Sequence, residues 1–164
     1  AQDGFVVEKK GWRNYIGIYN NQLMVTQDHN NNGNLKMNKQ NRLNANFKLW
    51  KDFTFEAAHQ LTKVPSGHQC GRLHGHSYKL RIHCKGKLNP NLDWVVDYAD
   101  IALAARKIAN KLDHSNLNDS FDFETTAENL AYWIGEEISK ELPSVYAVEL
   151  FETPTTSVIY ELDN

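Results

Sequence analysis

The stretch His74-Gly75-His76-Ser77-Tyr78-Lys79-Leu80-Arg81-Ile82-His83-Cys84-Lys85 decides the fold. Polar and charged residues alternate there with a second, mostly apolar set, which consists of His76, Tyr78, Leu80, Ile82 and Cys84. Because period-two alternation is typical of a half-buried strand, it predicts a strand over residues 74–87. Residues 47–60 alternate in part and predict a neighbouring strand, and the Pro- and Gly-containing residues 62–73 predict a loop between the two.

Two helices and two further strands follow. Asp97 is a suitable N-cap for a helix over residues 98–111, and Thr125-x-x-Glu128 matches a capping box for a helix over residues 126–141. Residues 113–122 predict a polar loop, and two strands, 145–151 and 157–162, are predicted around a turn at 152–156. The order β-β-α-α-β-β predicts an α+β fold with a four-stranded antiparallel sheet and two helices on one face.

The composition argues against several classes of protein. The chain has 164 residues, 41% of them hydrophobic, which is enough to build one core. Its formal net charge of −2 disfavours non-specific binding to nucleic acid, which needs a basic surface. No apolar run approaches the roughly 18 residues of a membrane span, and no secretory signal pattern is present. The only cysteines are Cys70 and Cys84. We therefore expect a reducing, cytoplasmic location and neither nucleic acid nor membrane as a partner.

Residues 1–46 differ in composition from the rest of the chain. They contain eleven Asn and few apolar clusters. Such a segment buries too little apolar surface to offset the entropy lost on ordering. We therefore predict an Asn-rich, flexible N-terminal extension over residues 1–46, with at most one weak hairpin, and a single domain over residues 47–164.

His59, His74 and His76 form a candidate metal site. Residues i and i+2 of a strand point to the same face, so His74 and His76 project side by side. His59 ends the preceding predicted strand, which a hairpin would bring beside them. Three neutral imidazoles suit Zn²⁺ and leave a coordination position open for substrate or water. The alternative is a group of surface histidines without a metal, since His-x-His pairs also occur by chance.

Cys70, the pair Asp113-His114, and Glu152 are further candidates. Cys70 lies four residues before His74 and can be read as a fourth metal ligand, as a thiolate base beside the metal, or as a small apolar loop residue. Asp113-His114 can orient and relay a proton, although both residue types are common at helix ends. Glu152 falls in the predicted turn, where a glutamate is usually solvated but can accept paired N–H donors from a guanidine-like ring.

Several separated blocks resemble the 6-pyruvoyl-tetrahydropterin synthase superfamily, and most closely its bacterial 6-carboxy-5,6,7,8-tetrahydropterin synthase branch. They occur in the family's order over about residues 47–164, and the four-residue step from Cys70 to His74 is the spacing of the carboxy branch. Thr125 departs from the pattern, in which a Pro often stands at this position. The blocks are Asp52-Phe53-Thr54-Phe55-Glu56-Ala57-Ala58-His59, Val64-Pro65-Ser66-Gly67-His68-Gln69-Cys70-Gly71-Arg72-Leu73-His74-Gly75-His76, Trp94-Val95-Val96-Asp97-Tyr98, Leu112-Asp113-His114-x-x-Leu117-Asn118, Thr126-Ala127-Glu128 and Glu152-Thr153.

The resemblance implies a fold, an assembly and an activity. The fold is the tunnelling fold, in which trimers pair their sheets into a twelve-stranded barrel and two trimers stack as a homohexamer with active sites between subunits. The activity is that of a zinc-dependent lyase, which converts 7,8-dihydroneopterin triphosphate to 6-carboxy-5,6,7,8-tetrahydropterin, acetaldehyde and triphosphate. The pathway is the synthesis of 7-deazaguanine bases such as queuosine.

The resemblance also implies a role for each candidate residue. His59, His74 and His76 would bind Zn²⁺. Cys70 would be the base, with Asp113 and His114 as its proton-relay partners. Glu152 would anchor the pterin ring, with Thr126 as a further substrate-binding residue.

Three alternatives stay open. A pyruvoyl-forming synthase would use the same residues but end in triphosphate elimination. A zinc-binding assembly module would hold the metal without catalysis, although such a module has no need of the base, relay pair and anchor. In a closed structural zinc site, Cys70 would be the fourth ligand.

Overall fold

The computed structural model describes residues 5–9, 12–19, 22–28 and 37–163, and the chain divides into two compact units, residues 1–38 and 39–164. In the first unit, an antiparallel sheet has the order β1 (Phe5–Lys9), β2 (Trp12–Tyr19), β3 (Gln22–Asp28). Where the sequence predicts one weak hairpin, the structure has three antiparallel strands. The Asn-rich run at residues 30–34 lies outside the described residues.

The second unit contains the predicted strands and helices together with four shorter elements. Gln69–Gly71 forms a turn of 3₁₀ helix in the loop between the first two long strands. The elements are α1 (Lys39–Asn44), β4 (Phe47–His59), β5 (His74–Gly86), α2 (Tyr98–Leu112), β6 (Ser115–Asn116), α3 (Leu117–Ser120), α4 (Ala127–Ser139), β7 (Val145–Thr153) and β8 (Thr156–Glu161).

The sheet of this unit has five strands in the order β6-β4-β5-β7-β8. The four long strands pair antiparallel, as predicted. The prediction of a purely antiparallel four-stranded sheet is nevertheless wrong, because β6 pairs in parallel with β4, Ala57 opposite Ser115 and Ala58 opposite Asn116. A strand of two residues is too short to produce a periodic signal in the sequence.

The N-cap predicted for α2 is present in the structure, whereas the N-cap of α4 is a different residue from the one predicted. The Asp97 carboxylate accepts a hydrogen bond from the N–H of Ala99 and caps α2, as predicted. The prediction that Thr125 caps the next helix is wrong by one residue, because the Thr126 hydroxyl accepts from the N–H of Asn129. Thr125 is instead fully buried. The predicted loop at 113–122 also contains β6 and α3, which the buried side chain of Leu117 anchors in the core.

The core lies between one face of the sheet and helices α2 and α4. The inward face predicted for β5 is confirmed from Tyr78 to Cys84, and the ring of Tyr78 stacks on Phe55 with centroids 4.9 Å apart. Each large apolar side chain buried in this way contributes about 1.5–3 kcal/mol. The helices add Ile101, Ala105, Ile108 and Leu112 from α2, and Leu130, Ile134 and Ile138 from α4.

The other face of the sheet is polar. Arg81 donates two hydrogen bonds to Asp52, of 2.7 and 2.9 Å, and lies 3.6 Å from Glu149. Trp50 and Ile159 are more than half exposed. Among the described helices, none has the length and apolar character needed to cross a bilayer.

Candidate metal centre and the residues around it

His59, His74 and His76 meet at one end of the β4–β5 pair. His59 lies directly opposite His74 in the antiparallel register, and His76 is two residues further along β5. One ring nitrogen from each histidine belongs to a set of atoms that all lie within 4.8 Å of one another. His59 is almost completely buried, while the other two rings are half-buried. The structure therefore brings together the three side chains that the sequence selected.

Backbone carbonyl groups fix the orientation of two of the three rings. Nδ1 of His59 lies 2.8 Å from the carbonyl oxygen of Thr125, and Nδ1 of His74 lies 2.8 Å from that of Arg72. A carbonyl oxygen only accepts, so both Nδ1 atoms carry the proton. The lone pair of each Nε2 is then free for a metal, with the carbonyl as the outer partner that metal-binding histidines usually have.

Burial favours the neutral form of the His76 ring, which is the form that binds a metal ion. It lowers the pKa of His76, although the negative charge of Glu152 partly opposes this shift, so the neutral, ligating form of the ring is favoured. The neighbouring Tyr78 hydroxyl lies 3.5 Å from Nδ1 of His59. Burial, reinforced by the charge of Glu152, raises the pKa of Tyr78, so this phenol stays neutral.

The donor set fits a zinc-type ion. Three neutral imidazoles are typical ligands of an open Zn²⁺ site, which keeps a further position for substrate or water. Within the described part of the chain, this group of converging ligands contains the three histidines alone. The sulfur of Cys70 is not a member of it.

Glu152 borders the three histidines. Its Oε1 lies 4.0 Å from Nε2 of His59. The prediction that Glu152 lies in a turn is wrong, because β7 continues to Thr153 and Glu152 is the extra residue of a bulge between Phe151 and Thr153. A bulge re-aims a side chain, and here it directs this carboxylate along the rim of the centre.

Thr126 lies on the same cavity as Glu152. The cavity has a volume of about 270 Å³, and Leu61, Glu128 and Ser157 also line it. The two residues that the resemblance assigns to substrate binding therefore share one cavity wall. Thr126 holds this place because it is the N-cap of α4 and directly follows Thr125, whose carbonyl orients His59.

Cys70 is placed by the 3₁₀ turn before β5. It is half-buried, and its thiol is free, like that of the buried Cys84. Its backbone N–H donates to Nδ1 of His68 at 3.2 Å, and its carbonyl accepts from the N–H of Leu61 at 2.9 Å. The loop is thus bound to the residues that follow β4, two positions beyond His59.

Asp113 and His114 form a pair at the edge of β4. Oδ2 of Asp113 lies 2.9 Å from Nδ1 of His114, and its Oδ1 accepts from the N–H of Glu56 at 2.8 Å. These contacts hold the pKa of Asp113 below its usual range, the Glu56 N–H contributing most and His114 next. His114 has φ of 54° and its side chain is 79% exposed.

His114 lines a second hollow, at the edge of β4, which His76 also borders. This hollow has a volume of about 440 Å³, and its lining includes His114, His76, Glu56 and Ser77. The Ser77 hydroxyl donates to the Glu56 carboxylate at 2.8 Å. By strand alternation, Glu56 and Ser77 are on the face opposite to His59 and His76. Neither Asp113 nor His114 belongs to the group of converging ligands that the three histidines form.

The sequence did not indicate the residues that support the site. Thr125, Tyr78 and Glu56 each act through a partner distant in sequence. Only Tyr78 had a usable signal, because it follows His76 at the same parity in β5.

Comparisons with known proteins agree with this geometry. A family model described as 6-pyruvoyl tetrahydropterin synthase matches residues 48–163. A 6-carboxy-5,6,7,8-tetrahydropterin synthase of Synechocystis sp. is 34% identical over 119 residues, which cover 68% of this chain and 91% of that protein. One of Haemophilus influenzae is 30% identical over 143 residues, covering 70% and 99%. The structure of the Caenorhabditis elegans 6-pyruvoyl tetrahydropterin synthase superposes with a TM-score of 0.66 at 24% identity, covering 73% of this chain and 97% of that one.

Proposed function

The chain belongs to the 6-pyruvoyl tetrahydropterin synthase family, and from this premise we propose that it is a zinc-dependent lyase of the carboxy type. It converts 7,8-dihydroneopterin triphosphate and one water molecule to 6-carboxy-5,6,7,8-tetrahydropterin, acetaldehyde and triphosphate. The observation that carries the proposal is the convergence of His59, His74 and His76, two of them with Nε2 free, in a chain at least 30% identical to two proteins of that name.

The three histidines hold the metal in this proposal. When bound, Zn²⁺ supplies a Lewis acid that draws electron density from the hydroxyl groups of the substrate side chain and acidifies the neighbouring C–H bonds. The carbonyl groups of Thr125 and Arg72 keep the rings of His59 and His74 aimed inward. The buried Tyr78 excludes water from behind His59.

Cys70 is the proposed base. Its thiolate removes a proton from the side-chain carbon, and His114 accepts or returns it. Asp113 fixes the ring of His114 through the 2.9 Å contact with Nδ1, which leaves Nε2 for the proton transfer. The lowered pKa of Asp113 keeps this carboxylate charged, so it can stabilise the imidazolium when His114 is protonated.

Glu152 and Thr126 are proposed to hold the pterin ring. A charged carboxylate can accept two parallel N–H bonds from the amidine edge of the ring, which fixes its orientation as well as adding affinity. Their shared cavity supports this assignment. The distance of 4.0 Å between Oε1 of Glu152 and Nε2 of His59 supports a ring anchor close to the proposed metal ligands.

The active form is proposed to be a homohexamer, a dimer of trimers, in the tunnelling fold. The exposure of Asp113 and His114 supports shared sites, because the pair is accessible to a neighbouring subunit and is not part of the group of three histidines in its own chain. A neighbouring subunit can then supply the pair to the metal centre.

Family membership also supports the domain boundaries, location and pathway that we propose. Residues 47–164 form the synthase domain, a range close to the match at 48–163, and residues 1–46 form an extension. The enzyme acts in the cytoplasm in the synthesis of 7-deazaguanine bases such as queuosine.

Product analysis tests the function. Purified zinc-loaded protein is incubated with 7,8-dihydroneopterin triphosphate, and the products are identified by mass spectrometry. Equimolar acetaldehyde and 6-carboxy-tetrahydropterin are expected. A pyruvoyl product without acetaldehyde would identify the alternative synthase, and zinc binding without turnover would identify a non-catalytic module.

A further inference from the structure

Asn118 makes an unusual contact with the residue that follows β4. Its Oδ1 accepts from the backbone N–H of Gln60 at 2.7 Å, and its Nδ2 donates to the backbone carbonyl of Gln60 at 2.8 Å. The side-chain amide therefore engages both polar groups of one peptide residue, as a neighbouring strand would. It acts where the parallel pairing of β4 with β6 has ended, since Ala58 and Asn116 form the last pair.

Gln60 connects this clamp to the loop that carries Cys70. The Gln60 side chain donates from Nε2 to the carbonyl of Gly71 at 2.8 Å. The next residue, Leu61, donates its N–H to the carbonyl of Cys70 at 2.9 Å. A continuous chain of hydrogen bonds thus runs from the Asn118 side chain through Gln60 and Leu61 to the backbone of Cys70 and Gly71.

The backbone of Asn118 is itself held in place by contacts at the start of α3. Its backbone N–H donates to Oδ1 of Asn116 at 3.3 Å, which caps α3. The preceding Leu117 is fully buried in the core. The side chain therefore projects from an anchored turn and can transmit that anchoring to the exposed segment at Gln60.

We propose that Asn118 is a positioning residue that fixes the Cys70 loop through its two-point clamp on Gln60. The proposal rests on the proposed role of Cys70 in the reaction. Asn118 touches neither substrate nor metal in it. Its contribution is to hold the thiol at the place where proton removal occurs, because small displacements of a reacting group cost large factors in rate.

The direct test compares Asn118→Ala with Asn89→Ala in the zinc-loaded, full-length protein. Asn89 is a matched control, because its Oδ1 also accepts two backbone hydrogen bonds, from Asn91 and Leu92, in a different loop. We measure zinc content, thermal stability, kcat, KM and the rate at which iodoacetamide alkylates Cys70, located by peptide mass spectrometry. Cys84 is fully buried and serves as the internal reference thiol.

Asn118→Ala is expected to keep zinc, to lower kcat at least tenfold with little change in KM, and to raise the alkylation rate of Cys70 at least threefold. Asn89→Ala is expected to change stability alone. Equal kcat and equal Cys70 alkylation in the two variants would overturn the proposal.

Two further variants keep the test decisive if Asn118→Ala does not fold. Asn118→Asp keeps the acceptor for the Gln60 N–H but loses the donor to its carbonyl, so a partial effect on Cys70 alkylation is expected. Gln60→Ala removes the bond to Gly71, and its effect should be non-additive with that of Asn118→Asp. Additive effects would overturn the proposed route through Gln60. Because alkylation needs no turnover, it tests the clamp even if the proposed reaction fails.

Discussion

The carboxylate of Asp113 accepts a 2.8 Å hydrogen bond from the backbone N–H of Glu56, three residues before His59 in β4. The backbone N–H of His114 returns a 2.6 Å bond to the carbonyl of Glu56. Strand β4 therefore carries one candidate metal ligand, His59, and its backbone at Glu56 binds the candidate relay pair. Because Glu56 and His59 differ in parity along β4, their side chains are on opposite faces of the sheet.

A mixture of two inactive variants is expected to recover activity. Cys70→Ala and His114→Ala chains, each with a different affinity tag, are co-expressed and purified through both tags. If each site takes Cys70 from one subunit and His114 from another, random assembly restores about a quarter of the sites. Steady-state turnover measures the recovery.

The control replaces the second chain by the double variant Cys70→Ala, His114→Ala. That mixture contains no Cys70 and should stay inactive. The test mixture combines Cys70→Ala chains with His114→Ala chains. If it were no more active than either single variant alone, the sites would not combine these residues from different subunits.

Cys70→Ala by itself should keep its metal and its assembly but lose turnover. Removal of a general base typically costs a factor of 10² to 10⁴ in rate. Inductively coupled plasma mass spectrometry, size-exclusion chromatography and kcat give the three readouts. Cys84→Ala, which deletes a buried core thiol, should lower stability and leave kcat close to wild type. If Cys70→Ala retained most of the wild-type kcat, the base would have to be another residue.

His74→Ala should lose the metal and the activity together. Loss of an outer-shell partner already weakens metal binding about 10- to 100-fold, so loss of a direct ligand should exceed that range. Metal content after dialysis against a weak chelator measures the effect. His83→Ala is the matched control, since His83 lies on the same strand but contacts Glu149 on the polar face. Stoichiometric zinc in His74→Ala would remove His74 from the ligand set.

Glu152→Gln should weaken binding of the pterin more than it slows the chemical step. A hydrogen bond to a charged group contributes about 1.5–3 kcal/mol, which corresponds to a rise of about 10- to 150-fold in the dissociation constant. Binding of a non-reactive pterin, followed by fluorescence, measures the effect. Glu149→Gln changes a carboxylate of the same strand on the other face and should bind normally. An unchanged dissociation constant in Glu152→Gln would argue against the ring anchor.

The sequence predicts the grouping of the three histidines because the relevant periodicity is local. His74 and His76 are two residues apart on a strand whose alternation is strong from Tyr78 to Cys84. His59 ends the preceding strand, and the register of that hairpin places it opposite His74. Side-chain parity and one antiparallel pairing were sufficient to bring these three residues together.

The errors arose where long-range contacts outweigh the local signal. Thr125 and Thr126 both suit an N-cap, and only the contact of the Thr125 carbonyl with His59 shows that the first of them is used elsewhere. Strand β6 exists because the chain leaving α2 returns beside Ala57, a contact without any local pattern. The sequence predicts a turn at Glu152 because a bulge does not alter composition.

The ion pair between Asp52 and Arg81 should make stability depend on acidity. The hydrogen bonds from Arg81 lower the pKa of Asp52, although desolvation opposes this shift. The pKa of Asp52 in the folded state therefore lies below the value of about 3.9 expected for the unfolded chain. Its stabilising contribution is present above that unfolded pKa and is lost as pH falls through the folded pKa. Because the Asp52 side chain is 39% exposed, solvent screening limits the contribution to at most about 1 kcal/mol. Urea unfolding at a fixed protein concentration should therefore show Asp52→Asn less stable than wild type at pH 7, with the difference shrinking below about pH 4. A deficit that stayed constant down to pH 2.5 would mean that Asp52 stabilises the fold through packing rather than through its charge.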